Sequence, residues 1–214
     1  MLGTILPQEV ITVDVQGYNS IAFLMPQEAA QLVNAVERRQ QEYATGRCCA
    51  REALRRLGFP SMPILRRDTR DPIWPPGVVG SITHCKGYAA ASVAKESEFL
   101  AIGVDAELNH VLPTEIGLQI TTLYERAWLV SAPADVNWIA ILFGAKESIF
   151  KAWFPLQRTW LGFEDVSISF RPAEQAFYAT PTSTTSLDSG IVSRMSGRYL
   201  VINGFIFTSV VIKR

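Results

Sequence analysis

The rest of the chain is organised around residues 133–155, which read PADVNWIAILFGAKESIFKAWFP. Apolar residues in this stretch return at the helical period of about 3.6 residues, so the stretch predicts a helix. We expect this helix to begin after Pro133, with Asp135 as its N-cap, and to end before Pro155. Most of its circumference is apolar, and the helix is therefore predicted to lie largely buried.

One strip of the predicted helix carries charge. Glu147 and Lys151 are four residues apart on this strip and lie one above the other, whereas Lys146 projects from a different side. Buried helices rarely carry ionisable groups without partners. The pair is either solvated or part of a site, and the small residues Ala140 and Gly144 on the same strip favour the close approach of another group.

The composition excludes several classes of protein. With 214 residues, 48% of them hydrophobic, the chain can form one domain or two small ones. A formal net charge of +0 gives no general attraction to nucleic acid or membranes. No apolar run is long enough to span a membrane, and residues 1–7 carry no signal-peptide pattern. The cysteines, Cys48, Cys49 and Cys85, lack metal-binding spacing and indicate a reduced, cytoplasmic protein.

Basic residues between positions 37 and 70 are all arginine. The segment contains nine arginines and four acidic residues, so it has a net charge of +5. Arginine is suited to bidentate contacts with phosphate or carboxylate, which favours a binding role. The alternative is a solvated helix face with intrahelical pairs such as Arg38 with Glu42. The arginines are Arg38, Arg39, Arg47, Arg51, Arg55, Arg56, Arg66, Arg67 and Arg70.

Residues 99–107 alternate as a strand that ends in two carboxylates. Asp105 and Glu107 project from one face of this strand, behind the small residues Ala101 and Gly103. Oxygen ligands at this spacing suit Mg²⁺, which binds one or two carboxylates together with waters and phosphates. The pattern also occurs at ordinary exposed strand ends, so it supports a metal site only if Glu147 and the arginines converge on it.

The remaining elements predict an α+β architecture in which the second half repeats the first in outline. His84 is either a satisfied structural residue or part of a site. In the first half, the predicted elements are a strand, a turn near residues 17–20 and a second short strand within 10–24, then a helical stretch from Pro26 to about Leu57 with a break at Gly46. An irregular loop over 61–80 and a strand or strand pair over 78–94, with His84 at its centre, follow. In the second half, the predicted elements are a loop over 109–117, a helical piece over 116–130, a strand over 161–170, a loop over 180–186 and a hairpin over 198–212 turned at Asn203-Gly204.

Five ordered motifs carry a resemblance to a known family. They are RRxxEYxxxRxxARxAL at 38–54, WPxGxxGSITH at 74–84, IGVDAE at 102–107, FGAKESxxKA at 143–152 and WLGFED at 160–165. As a set they resemble the surfactin-type 4′-phosphopantetheinyl transferases, in the shorter bacterial branch that includes the enterobactin-pathway enzyme and its actinobacterial relatives. Two departures are the residues Phe143-Gly144-Ala145 before Lys146, where many relatives carry Trp and a hydroxyl residue, and Arg66 in place of a lysine.

The resemblance implies a reaction, a fold and partners. The enzyme would move the phosphopantetheine arm of coenzyme A to a serine of an acyl, peptidyl or aryl carrier protein and release 3′,5′-ADP. It would need Mg²⁺, with Mn²⁺ as an alternative. The fold would be a pseudo-dimer of two α+β halves, 1–108 and 109–214, with the site in the cleft between them. A monomer is expected, and carriers of fatty-acid, nonribosomal peptide, polyketide, siderophore or antibiotic biosynthesis all stay open.

The resemblance also implies roles for individual residues. Asp105, Glu107 and Glu147 would bind the metal, with Glu147 also the general base for the serine. Lys151 would stabilise charge on the phosphoryl oxygens. The catalytic set is thus Asp105, Glu147 and Lys151.

The remaining implied roles concern coenzyme A and the carrier. The coenzyme-binding residues would be Arg39, Arg47 and Arg66 for the 3′-phosphate and adenylate, and Thr83, His84, Lys146 and Lys151 for phosphate. The carrier would dock near residues 111–128.

Two other functions remain open. A non-catalytic binding partner of coenzyme A or carrier proteins would bind coenzyme A without forming product. A Mg²⁺-dependent hydrolase would cleave the diphosphate with no carrier present. The sequence has no Walker A motif, no GxGxxG and no HExxH, so kinase, dehydrogenase and zinc-protease functions are not predicted.

Overall fold

Two antiparallel sheets, each covered by one long helix, organise the chain in a computed structural model that describes residues 1–17, 23–33, 35–134, 136–182 and 189–214. The helices are α1 (Pro26–Ala29), α2 (Glu37–Arg56), α3 (Thr114–Ile120), α4 (Leu123–Leu129), α5 (Trp138–Gln157) and α6 (Ser189–Val192). The strands are β1 (Ile11–Gln16), β2 (Val78–Cys85), β3 (Tyr88–Lys95), β4 (Phe99–Leu108), β5 (Val166–Arg171), β6 (Ala176–Pro181), β7 (Ser196–Ile202) and β8 (Phe205–Lys213). This mixed architecture confirms the predicted α+β class.

The first sheet has the strand order β1-β3-β2 and is packed against α2. The central strand β3 is buried at every position before Lys95. Helix α2 runs without interruption through Gly46, so the predicted break at Gly46 is wrong. A Cβ built on Gly46 would lie 3.0 Å from Ile82 Cγ2, and the glycine therefore allows close contact with β2. The helical stretch is divided earlier, between α1 and α2.

The second sheet has the strand order β4-β8-β7-β6-β5 and is packed against α5. The predicted hairpin between β7 and β8 is confirmed. Its turn residues Asn203 and Gly204 have φ angles of 52° and 77°, as a type I′ turn requires. Strand β4 pairs with β8 and so belongs to this sheet. The division of the chain at 108/109 stays a prediction.

Helix α5 differs from its predicted ends. It begins at Trp138, where Asn137 Oδ1 accepts a hydrogen bond from the Ala140 N–H at 3.3 Å; the predicted cap Asp135 lies outside the described residues. The prediction that the helix ends before Pro155 is wrong. Because Pro155 lies in the last turn, its missing N–H removes only one helical hydrogen bond. The helix continues to Gln157 and ends at Arg158, whose φ is 54°.

Side-chain hydroxyls join the two sheets where β2 runs beside β4. Ser81 Oγ accepts from the Val104 N–H and Thr83 Oγ1 accepts from the Ala106 N–H, each at 3.1 Å. Strand β4 lies at the edge of its sheet, so these N–H groups, on the side away from β8, are satisfied by the hydroxyls instead of by a paired strand. They place the end of β4 against the centre of β2, between the two sheets.

Gly103 allows α5 to lie directly on β4. A Cβ built at this position would stand 1.8 Å from the carbonyl oxygen of Ser148 and 2.8 Å from the amide nitrogen of Ala152. The backbone of the helix therefore touches the backbone of the strand. This contact fixes the height at which the charged strip of α5 lies above the carboxylates of β4.

Other parts of the chain were predicted less completely. The helical piece predicted over 116–130 is two short helices, α3 and α4, and strand β6 was not predicted. Strand β1 was predicted, but the turn and second strand expected after it, and most of the loop over 180–186, fall on residues 18–22 and 183–188, which lie outside the described residues. Among the described residues, no helix combines the length and apolar composition needed to cross a membrane.

Candidate active site

An ion pair between α5 and β4 forms the centre of the site. Lys151 Nζ donates to Asp105 Oδ1 at 2.6 Å, to the Val104 carbonyl at 3.1 Å and to Thr83 Oγ1 at 3.4 Å. Thr83 Oγ1 also donates to Asp105 Oδ1 at 3.0 Å. The charged strip of α5 is thus not a solvated face, because its lysine is paired with a buried aspartate of another element.

The second oxygen of Asp105 is left without a partner. Oδ2 is buried and makes no hydrogen bond within the described part of the chain. A Cβ on Gly144 would lie 3.2 Å from Thr208 and 3.5 Å from this oxygen, so the glycine allows the helix to come close to both residues. A buried carboxylate oxygen without a donor is unfavourable, which makes this atom a candidate ligand for a cation.

Two more carboxylates share the electrostatic environment of Asp105. Burial raises the pKa of Glu107 to about 7, and the negative charge of Asp105 adds to the effect. Burial also raises the pKa of Glu147; the Lys151 ammonium opposes this shift and Asp105 reinforces it. A nearby cation would therefore stabilise the ionised form of each carboxylate.

The carboxylates do not form a complete metal site by themselves. In the described ranges, no three His, Cys, Asp or Glu side chains are grouped closely enough to hold a metal ion. Mg²⁺ does not require such a cage, since it is commonly bound by one or two carboxylates, waters and substrate phosphates. The unpartnered oxygen of Asp105 and the acidic neighbours fit that mode of binding.

A small basic pocket of about 100 Å³ lies against α2. Arg39, Arg47, Arg66 and His84, all predicted to bind the coenzyme, line it together. The arginines outnumber Glu42, the acidic residue that also lines the pocket, so the lining has a net positive charge that suits a phosphate group.

Two of these arginines are held in place by main-chain carbonyls and Tyr43. Arg47 Nε donates to the Ile64 carbonyl at 2.6 Å, and its guanidinium lies 4.1 Å from the centre of the Tyr43 ring. Arg66 Nη2 donates to the Gln31 carbonyl at 3.0 Å, and the Arg66 guanidinium lies 6.0 Å from the centre of the same Tyr43 ring. Neither guanidinium is neutralised by these contacts, so both keep their charge for a ligand.

Tyr43 and Gln31 were not predicted as site residues. The four-residue spacing between Tyr43 and Arg47 on a helix is the signal that could have found the tyrosine. Gln31 gave no signal, because it comes from a separate short helical segment.

His84 is a neutral acceptor in this pocket. Its Nε2 lies 2.7 Å from Arg39 Nη1, and Glu42 Oε2 lies 3.6 Å from its Nδ1. Burial, and then the positive charge of Arg39, lower the pKa of His84 to about 4. Since Arg39 is always a donor, Nε2 accepts and the ring proton is on Nδ1, facing Glu42.

The depressed pKa of His84 predicts a pH-dependent stability. The unfolded chain takes up the histidine proton near pH 6.5 and the folded chain only near pH 4, so stability falls as the pH drops through this window, by at most about 3 kcal/mol. A His84→Asn variant should lack this component. Urea unfolding at intervals from pH 7 to pH 4 measures the free energy of unfolding of both proteins. The same dependence of this free energy on pH in the two proteins would contradict the prediction.

A larger cleft of about 510 Å³ adjoins the basic pocket. Glu147 and Lys151 line its floor, together with Phe150 and Phe154 of the same helix and Trp74 from the loop before β2. Residues 78–82 of β2 and 100–102 of β4 also line the cleft, so both sheets contribute to its walls. Three residues line the cleft and the basic pocket alike, namely Arg70, Pro72 and Ile82.

Lys146 lies away from this centre. Its Nζ donates to Glu125 Oε2 at 2.9 Å and to the Phe163 carbonyl at 2.6 Å, and burial lowers its pKa. Glu125 is itself 1% exposed and also accepts from the backbone N–H groups of Thr122 and Ile168. Lys146 is thus directed away from Asp105 and Lys151 and ties α5 to α4 and to the loop before β5; with Glu147 it lines a separate small pocket.

Removal of Lys146 should therefore reduce stability. A Lys146→Met variant leaves Glu125 buried without a counter-charge, which is expected to cost about 3 kcal/mol in the free energy of unfolding. The double variant with Glu125→Gln should recover most of this loss. Urea denaturation measures both effects. Full stability with loss of activity would instead support the predicted contact of Lys146 with phosphate.

Comparison with known proteins shows which family the chain is similar to. The family model described as the 4′-phosphopantetheinyl transferase N-terminal domain matches residues 27–94, and the model of the 4′-phosphopantetheinyl transferase superfamily matches residues 101–195. The chain is 40% identical to the 4′-phosphopantetheinyl transferase PptT of Mycobacterium tuberculosis, over 88% of this chain and 86% of that protein.

Two further relatives are similarly close. The chain is 38% identical to the 4′-phosphopantetheinyl transferase Svp of Streptomyces mobaraensis, over 90% of this chain and 80% of that protein. It is 36% identical to the 4′-phosphopantetheinyl transferase Npt of Nocardia iowensis, over 98% of this chain and 99% of that protein. These relatives are matched over most of their own length as well as most of this chain.

Proposed function

This chain belongs to the 4′-phosphopantetheinyl transferase superfamily, and we propose that it transfers the 4′-phosphopantetheine arm of coenzyme A to a serine of a carrier protein and releases 3′,5′-ADP. The observation that carries the proposal is the meeting of Asp105, Glu147 and Lys151 beside an arginine pocket, because phosphoryl transfer depends on positioning and charge stabilisation. The carrier can be an acyl, peptidyl or aryl carrier protein.

The arginine pocket would hold the nucleotide end of coenzyme A. Arg39, Arg47 and Arg66 offer guanidinium donors to the 3′-phosphate, and neutral His84 offers its Nδ1 proton only if it leaves Glu42. The pocket volume of about 100 Å³ suits a phosphate group rather than a whole nucleotide. The rest of the coenzyme would extend into the adjoining cleft.

Asp105, through Oδ2, would hold Mg²⁺ together with Glu107 and Glu147, and Mn²⁺ is the alternative metal. When bound, the metal neutralises diphosphate charge and makes the β-phosphorus more open to attack. The unpartnered buried oxygen of Asp105 supports this assignment. Lys151 holds the other oxygen of Asp105 and so orients the carboxylate.

Glu147 would act as the general base. Burial raises its pKa, which makes its carboxylate a better proton acceptor at neutral pH. It takes the proton from the carrier serine; the serine oxygen forms a bond to the β-phosphorus; and the bond from that phosphorus to the bridging oxygen breaks. The 3′,5′-ADP departs with the electron pair, while the Lys151 ammonium stabilises the charge that develops on the phosphoryl oxygens.

The compartment and the oligomeric state are part of the proposal. All three cysteines lie among the described residues, and none is in a disulfide, which is typical of proteins in a reducing compartment such as the cytoplasm. We propose a cytoplasmic monomer. The carrier could belong to nonribosomal peptide, polyketide, siderophore, antibiotic or fatty-acid biosynthesis.

Release of 3′,5′-ADP separates this function from its two alternatives. Chromatography of the nucleotide after incubation with coenzyme A and Mg²⁺, with and without apo-carrier, measures it directly. Transfer predicts 3′,5′-ADP only when the carrier is present, in amounts equal to the carrier modified. Nucleotide release without a carrier would indicate a hydrolase, and coenzyme A binding without any release would indicate a non-catalytic partner.

A further inference from the structure

Arg70 occupies a backbone conformation that favours glycine. Its φ is 71°, within a tight turn closed by a hydrogen bond from the Arg70 N–H to the Arg67 carbonyl at 2.8 Å and by the bridge between Arg66 and Pro72. A residue with a Cβ is strained in this region, whereas glycine is not. Strained positions of this kind cluster at ligand sites. An arginine at a position that favours glycine therefore indicates a function for its guanidinium.

The position of Arg70 connects the two cavities of the site. With Pro72 and Ile82 it lines both the basic pocket and the cleft above Glu147 and Lys151. It is the only charged member of these three shared residues. A ligand that fills both cavities must therefore pass beside the Arg70 side chain.

The charge of Arg70 is available to such a ligand. Within the described residues its guanidinium has no hydrogen bond or ion pair, although Asp71 is its neighbour in sequence. Asp71 Oδ2 is bound by Arg67 at 2.6 Å and by Arg158 at 2.7 Å, which satisfies this carboxylate. Arg70 thus differs from the paired arginines around it and is exposed at the mouth of the site.

We propose that Arg70 binds the diphosphate of coenzyme A where the molecule passes from the basic pocket into the cleft. This inference rests on the proposed function. Arg39, Arg47 and Arg66 already surround the inner pocket, so the 3′-phosphate has its own donors. The planar fork of a guanidinium can donate two parallel hydrogen bonds to phosphate oxygens, and the diphosphate is the next anionic group along the coenzyme.

Replacement of Arg70 by glycine distinguishes a role of the guanidinium in binding from a purely structural role. Arg70→Gly removes the guanidinium and relieves the strained φ at the same time, so the melting temperature should stay the same or rise. Affinity for coenzyme A should nevertheless fall, by about tenfold, which corresponds to about 1.4 kcal/mol. Arg70→Lys keeps the charge without the fork and should lie between the two proteins.

Calorimetric titration of wild-type protein, Arg70→Gly and Arg70→Lys with coenzyme A and with dephospho-coenzyme A distinguishes the sources of any loss. Contact with the diphosphate predicts the same fold loss for both ligands. Arg56→Ala is the matched control, since Arg56 is exposed, paired with Glu52 and lines neither cavity. It should bind both ligands as the wild type does.

Three results would overturn the inference. Unchanged affinity of a folded Arg70→Gly variant would exclude a role of Arg70 in binding. A loss seen with coenzyme A but not with dephospho-coenzyme A would assign the contact to the 3′-phosphate and contradict the diphosphate assignment. Failure of the wild-type protein to bind coenzyme A at all would remove the proposed function together with this inference.

Discussion

Glu147→Gln is expected to lower the rate constant of phosphopantetheine transfer by about a thousandfold, because an amide cannot accept the serine proton. The fold should remain intact. Burial raises the pKa of Glu147, so the folded protein disfavours its charge, and the neutral glutamine should be at least as stable at neutral pH. Time courses of carrier modification, together with melting curves, measure both quantities.

Glu98→Gln provides the matched control for this experiment. Glu98 is exposed in the turn before β4 and lines neither the cleft nor the basic pocket. The same chemical change there should leave transfer unaltered. If Glu147→Gln keeps a rate within about threefold of the wild type, far less than the loss of about a hundredfold or more expected when a general base is removed, the carboxylate is not the base.

Gly103→Ala is expected to destabilise the protein by about 3 kcal/mol or more, the upper range for overpacking of a core. The new methyl group would stand 1.8 Å from the Ser148 carbonyl oxygen, so α5 must move away from β4. Because α5 carries Glu147 and Lys151, any folded fraction should also transfer poorly. Urea denaturation followed by circular dichroism gives the free energy of unfolding.

Gly117→Ala is the control for the loss of a glycine. Gly117 lies within α3, and a Cβ there would meet Ile139 at 3.7 Å, an ordinary contact. Alanine is the better helix former, by up to about 1 kcal/mol, so this variant should be as stable as the wild type or more so. A Gly103→Ala variant that unfolds at the same urea concentration as the wild type would show that α5 and β4 are not in backbone contact.

Local sequence patterns predicted the elements that hold the site. The apolar circumference of the helix predicted within residues 133–155 identified a buried helix, and Asn203-Gly204 identified the last hairpin. The alternation in β4 predicted that Asp105 and Glu107 share a face, and the structure pairs Asp105 with Lys151 of α5. These predictions succeeded because the residues that determine them are neighbours in sequence.

Features that depend on distant residues were not predicted. Gly46 could not be recognised as a contact point, because the side chain it accommodates, Ile82, comes from another element. The orientation of Lys146 depends on Glu125, which is buried only once α4 packs against α5. Pro155 does not end α5, because it lies in the last turn, and the sequence around it did not show that the helix continues to Gln157.

Phosphopantetheine transfer is measured by the intact mass of an apo-carrier protein incubated with this protein, coenzyme A and Mg²⁺. We expect a mass increase equal to one phosphopantetheine group, abolished by EDTA and, over the same incubation time, by Glu147→Gln. No mass increase on fatty-acid, polyketide or peptidyl carriers, from a protein that binds coenzyme A, would contradict the proposed function.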